Sequence, residues 1–237
     1  MGYAIAKRLL ARGVDTLICA RQSERLEAAQ AELDSEAAAR CEALGLDLTR
    51  SENAEKAVDA CVERFGGIDI LVNNAGVAEY CEIQEITAES WERSQNLMAR
   101  APVLATKAAA VHMAARGGGR VINNASISGS LSEPGSAQYS AAKAATISFT
   151  KTAAVDLAPL GIRANAIAPG WIRTPLSAPF FDGIEPDALK AVNPLGRVGD
   201  PDEVAVVAEF LALDAPDFLT GETIHVDGGQ AIYLPLP

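Results

Sequence analysis

Short apolar runs alternate with longer helix-like segments along the whole chain, and no other feature limits its fold as tightly. The runs lie at 14–20, 41–46, 68–73, 120–125, 162–167 and 223–226. Between them stand segments with helical spacing or helix-forming composition, at 1–12, 23–40, 51–65, 88–115, 137–159 and 201–213. Gly13 is placed to end the first helix, Ser23 and Ser51 to cap the next two, and Pro201 to begin the last. A kink is expected near Pro102. The strands are apolar on both faces, as strands covered by helices on both sides must be. Right-handed crossovers then make one doubly wound parallel sheet, an α/β fold. The 237 residues suffice for one such domain, taken as 1–237. Residues 175–195 hold four prolines among irregular apolar residues and are expected to form a mobile lid.

The turns that break helix or strand chemistry all follow strands: Asp47-Leu48, Asn73 to Gly76, Ser126, and Pro169-Gly170. In a parallel sheet they gather along the carboxyl edge, where ligands bind. One of them leads from Ser126 through a Ser/Gly/Pro-rich loop into an alanine-rich helix bearing Tyr139 and Lys143. These two are four residues apart and share a helix face. A phenol beside a fixed ammonium is expected to have a lowered pKa. Ser126, at a strand end, can hold the same small molecule. This is the layout of a proton donor, its tuner and an orienter.

Composition narrows the partners. A net charge of −11 argues against nucleic acid or an anionic membrane. No apolar run reaches membrane-spanning length. The four cysteines form no C-x-x-C pair and are expected as reduced thiols in a cytoplasmic protein. The two histidines lie far apart, and no metal site is expected.

Six motifs stand in order: Asn73-Asn74-Ala75-Gly76; Asn96; Ser126 thirteen residues before Tyr139-x-x-x-Lys143; 169–174; 196–203; and 220–229. In this order and spacing the chain resembles the short-chain dehydrogenase/reductase family over essentially its whole length. Its tail is similar to that of 3-oxoacyl-carrier-protein reductases and of many sugar, steroid and alcohol dehydrogenases. The resemblance implies hydride transfer between a nicotinamide cofactor and a small carbonyl or alcohol. Tyr139 is then the general acid or base. Ser126 orients the substrate oxygen, Lys143 bonds the nicotinamide ribose, and Asn96 holds a relay water. By the same resemblance Asn74, Ala75 and Gly76 line the ribose, Asp47 and Leu48 meet the adenine, and Ile172 and Thr174, after Pro169-Gly170, contact carboxamide and phosphates. Trp171, Phe180 and Phe181 border the substrate.

NAD-preferring relatives place an acidic residue where this chain has Ala20, followed by Arg21. Arginine can pair a 2′-phosphate, so NADP(H) is favoured, with NAD(H) the other possibility. By the same resemblance, the helices at 88–115 and 137–159 form the family's usual dimer and tetramer contacts, which implies a homotetramer or homodimer. In one respect the chain departs from the family. The family opens with a strand and Thr-Gly-x-x-x-Gly-x-Gly, and here Gly2 matches the last glycine of that motif. The expectation is an N-terminally truncated sheet with two open strand edges in its core, at about 1–3 kcal/mol for each buried group left unpaired. Two explanations follow: a start at an internal methionine of a longer natural chain, which is favoured, or a truncated form. The alternative function is accordingly a catalytically silent subunit with impaired cofactor binding.

Overall fold

A computed structural model describes residues 1–36, 39–181 and 183–234. Its helices are α1 (Gly2–Ala11), α2 (Glu24–Glu36), α3 (Ser51–Phe65), α4 (Ala88–Gln95), α5 (Ala101–Ala115), α6 (Ala137–Leu157) and α7 (Pro201–Glu209). Its strands are β1 (Thr16–Ala20), β2 (Cys41–Gly45), β3 (Ile70–Asn73), β4 (Gly119–Asn124), β5 (Ile162–Pro169) and β6 (Thr223–Val226). Gly13 follows α1 at φ +81°, the left-handed conformation expected of its cap. Ser23 Oγ accepts from the Leu26 N–H at 3.3 Å and starts α2. That helix is described over Glu24–Glu36, residues 37 and 38 lie outside the described set, and Ala39 and Arg40, within the expected span, are not helical. Two one-turn helices, Ala178–Phe181 and Pro186–Leu189, occupy the expected lid.

All strand pairings are parallel, and among the described residues they form two sheets, β1-β2 and β3-β4-β5-β6. β1 pairs only with β2, and β3 only with β4. Between them lies a cavity of about 700 Å³ lined by both strands, from Thr16 to Ala20 and from Ile70 to Asn73. The two open edges expected in the core are therefore present, and they face one another.

The β4-β5 centre is covered on both faces because alternate strand residues point opposite ways. Val121, Ile162 and Ala164 meet α3, α5 and α6 through Ala54, Val58, Ala109, Met113 and Ala153. Ile122 and Ile167 meet α1 and α7 through Ile5, Leu9, Val204 and Ala208. The small side chains of α5 let it lie close on the sheet, and Ala109 is fully buried. α1 is also bridged to the α7 region by Arg8–Asp202 at 2.7 Å and Arg12–Glu209 at 2.6 Å. Those arginines are exposed enough that water screens the pairs and leaves them little net stabilisation. The burial of Ile5 and Leu9 against α7 contributes about 1.5–3 kcal/mol each and decides the docking.

The kink expected near Pro102 is a π-turn, Asn96–Arg100, between α4 and α5. Pro102 has no N–H for the Met98 carbonyl, and Thr146 Oγ1 of α6 donates to it at 2.9 Å instead. A second π-turn, Phe210–Asp214, extends α7 over the rest of its expected span.

Candidate active site

The loop after β4 and the first two turns of α6 bring Ser126, Tyr139 and Lys143 together. Lys143 is 4% exposed, and its Nζ donates to the Asn124 carbonyl at 2.6 Å. Burial pushes its pKa down to about 8. Nζ also stands 5.6 Å from the Tyr139 ring centroid. The phenol does not follow the expectation from sequence. Burial raises the Tyr139 pKa, a hydrogen bond with Ser126 lowers it, and the Glu133 charge raises it. The reason is desolvation: the site is dry enough to disfavour the phenolate, and the ammonium is committed to a backbone carbonyl.

Ser126 lies in extended backbone at φ −169°, and its Oγ accepts from the Ser128 N–H at 3.1 Å. Asn96 opens the π-turn that packs on α6. Just before it, Gln95 Nε2 donates to the Gln138 carbonyl at 2.9 Å, tying α4 to the first turn of α6. The π-turn explains how asparagine is accommodated at this point of a long helical segment.

The residues expected at a cofactor divide into two groups. Gly2, Leu48, Asn74 and Ala75 line the 700 Å³ cavity together with Ala20. A Cβ on Gly2 would meet Asn74 Nδ2 at 2.5 Å, so a larger residue there would push the Asn74 amide aside. Gly76 stands next to Met98, and Arg21 is exposed beside Asp47. The Asp47 carboxylate accepts from the Thr49 N–H at 3.0 Å and from its Oγ1 at 2.7 Å, bonds that lower its pKa. These bonds close a local turn ahead of α3, whose N-cap residue is Arg50 with no side-chain cap. Pro169 ends β5, and the Gly170 N–H donates to the Val226 carbonyl at 3.0 Å. Ile172 turns its side chain into the core beside Ile122 and Ile167. Thr174 Oγ1 lies 2.9 Å from Ser177 Oγ. Gly76, Arg21, Asp47, Pro169, Gly170, Ile172 and Thr174 are not among the cavity-lining residues, although Pro175 is.

Two residues that sequence reasoning passed over belong to this place. Asn124 ends β4, holds Lys143 with its carbonyl, and donates from Nδ2 to Asn74 Oδ1 at 2.9 Å. Its signal was a polar residue closing an apolar run. Arg25, in the first turn of α2, lines the cavity, and its charge reaches the Met1 amino group. Its signal was its position four residues after Arg21.

The donor set fits a dinucleotide. The first N–H groups of α1 lack partners within the helix and form its positive end, and Arg25 adds a cation on the same cavity. Asn124 Oδ1 is buried with no partner, an acceptor ready for a donor, although Asn124 and Lys143 are not among the cavity-lining residues.

Comparison with known proteins agrees. The sequence profile of the family described as "Enoyl-(Acyl carrier protein) reductase" matches residues 1–231. Dehydrogenase/reductase SDR family member 4 of Homo sapiens is 35% identical over 238 aligned residues, covering 97% of this chain and 83% of that protein. The 3-oxoacyl-[acyl-carrier-protein] reductase of Synechocystis is 34% identical, covering 98% of this chain and 93% of that one. A short-chain type dehydrogenase/reductase from Mycobacterium marinum superimposes with a TM-score of 0.89 at 32% identity, covering 98% and 91% of the two chains. With a serine, a tyrosine and a lysine assembled at the carboxyl edge of a doubly wound parallel sheet, the chain belongs to the short-chain dehydrogenase/reductase family.

Proposed function

We propose that the protein interconverts a carbonyl and its secondary alcohol with NADP(H), NAD(H) being the weaker cofactor. The observation that carries this reading is the convergence of Ser126, Tyr139 and Lys143, with Lys143 linked through Asn124 to Asn74, which lines the cavity together with Gly2 and Ala75. Lys143 and Asn74 would hold the nicotinamide ribose, Arg25 and the start of α1 the phosphates, and Arg21 the 2′-phosphate. The cofactor supplies the hydride. Tyr139 gives its proton to the carbonyl oxygen, and a phenol kept neutral by burial is suited to that role. Ser126 orients the same oxygen, while Lys143 and Asn96 return a proton to Tyr139 through ordered water. Tyr80 against Phe180, with ring centroids 5.1 Å apart, and Trp171 against Phe181, at 5.4 Å, supply an apolar wall for a partly hydrophobic substrate. Thiols at all four cysteines fit a reducing cytoplasm.

Fluorescence titration with NADPH and NADH tests this reading. The wild type is expected to saturate with NADPH first. Arg21→Ser is expected to weaken NADPH about tenfold, the equivalent of one charged contact, and to leave NADH unchanged. A protein that never saturates at millimolar nucleotide is the silent subunit instead.

The exposed Val103 and Val111 on α5 and Val155 on α6 support a homotetramer built on those helices. Light scattering is expected to show a tetramer and, for Val155→Asp, a smaller particle. A monomeric wild type would remove this proposal.

A further inference from the structure

Ser126 is the inner end of a row of hydroxyls. Ser126 Oγ lies 3.3 Å from Ser128 Oγ, and Ser128 Oγ lies 3.2 Å from Glu133 Oε2. The same carboxylate oxygen takes the Tyr80 hydroxyl at 3.5 Å. Both serines are nearly buried, at 7% and 8% exposure, so water does not replace these bonds freely. The row runs from the reacting centre at Tyr139 out to a half-buried carboxylate.

The direction of the row follows from proton counting. An ionised carboxylate only accepts, and a serine hydroxyl has one proton to give. With Glu133 ionised, Ser128 must donate to it. Ser128 can then only accept from Ser126, whose single proton is spent. Ser126 is left offering a lone pair towards the reacting oxygen. A substrate carbonyl needs the opposite, a donor. If the outer group can itself donate, the row reverses: it donates to Ser128, Ser128 donates to Ser126, and Ser126 donates to the reacting oxygen.

We propose that Glu133 is a positioning residue acting through Ser128, and that its charge state sets whether Ser126 presents a lone pair or a proton at the reacting oxygen. The proposal rests on the acid–base reading of Ser126 and Tyr139 given above. Glu133 takes up one proton from solvent, and each serine hydroxyl keeps its own proton and turns about its C–O bond to exchange donor for acceptor. The ionisable groups facing Glu133 are Tyr80, from the loop after β3, and Tyr139, from α6, and its charge raises the pKa of both. Lys143, on the same helix as Tyr139, is held on the Asn124 carbonyl.

Glu133→Gln is the decisive variant, because an amide can donate to Ser128 and accept from Tyr80 at once. For the wild type, kcat/KM for carbonyl reduction is expected to rise towards acidic pH. For Glu133→Gln it is expected to lie about tenfold higher at neutral pH, the worth of one neutral hydrogen bond, and to lose that acidic rise. Alcohol oxidation should change by the same factor, since both directions share one transition state. Ser128→Ala, which cuts the row and keeps the charge, should also lose the rise. Profiles of the same shape in wild type and Glu133→Gln would overturn the proposal.

A second measurement needs neither cofactor nor turnover. Tyrosinate absorbance is followed against pH in wild type and Glu133→Gln, each minus its Tyr139→Phe counterpart. The Tyr139 titration is expected to move to lower pH in Glu133→Gln and to stay in place in Glu133→Asp. An unmoved titration in Glu133→Gln overturns the proposal even in a protein that turns nothing over. A moved titration in a protein without turnover supports the coupling to Glu133 and sinks only the assigned reaction.

Discussion

Tyr139→Phe is expected to lower kcat/KM for carbonyl reduction by about 10²–10⁴-fold, the usual contribution of a positioned general acid. Phenylalanine keeps the ring against α6 and removes only the proton. The hydrogen bond shared with Ser126 is lost, at about 0.5–1.5 kcal/mol. The fold should therefore survive with a small drop in melting temperature, read by circular dichroism on the same samples. Near-normal turnover in this variant would refute the role assigned to Tyr139. Unfolding of the variant would contradict the packing described for α6.

Lys143→Met is expected to abolish turnover and to change how stability depends on pH. The buried Lys143 has its pKa lowered from 10.5 to about 8, so the folded state releases its proton before the unfolded state does. Between these values the unfolded chain binds more protons, and stability from this group rises with pH. Below about pH 8 the wild type carries the full penalty of a buried charge, and above about pH 10.5 it carries none. The shift corresponds to about 3 kcal/mol. Methionine has no such penalty, although it leaves the Asn124 carbonyl without its donor. The wild type should therefore gain about that amount on the variant between pH 7 and the alkaline end, whichever is the more stable at neutrality. Urea unfolding of both proteins across this range measures it, and parallel stability curves would rule it out. Other groups titrating at high pH drop out of the difference.

Much of the site was legible because its chemistry is local in sequence. Tyr139 and Lys143 sit one helical turn apart whatever surrounds them. Ser126 sits where an apolar strand must end. Asn74, Ala75 and Leu48 follow strands of a parallel sheet and so had to reach its carboxyl edge. The π-turn at Asn96–Arg100 was legible only as a kink near Pro102, because its cause lies partly in Thr146, about fifty residues on.

The pKa of Tyr139 was not legible. Spacing to Lys143 predicts attraction, but the outcome depends on how much water both groups lose and on where the ammonium is directed. The part played by Asn124 was hidden for the same reason. Its neighbours Asn74 and Lys143 come from other segments, and a terminal strand asparagine reads in sequence as an ordinary stop. Ile172 gave the converse case: its motif pointed to a ligand, and packing turned its side chain into the core.

The sequence by itself determined the alternation of strands and helices, the parallel sheet, the edge at which chemistry collects, and the residues able to move a proton there. These follow from periodicity and from properties each residue carries with it. Only packing decided that Lys143 is held by Asn124 and that Ser126 is the end of a row leading to Glu133. Those depend on burial and on hydrogen bonds between distant segments, because desolvation and partner geometry exist only once the chain has packed.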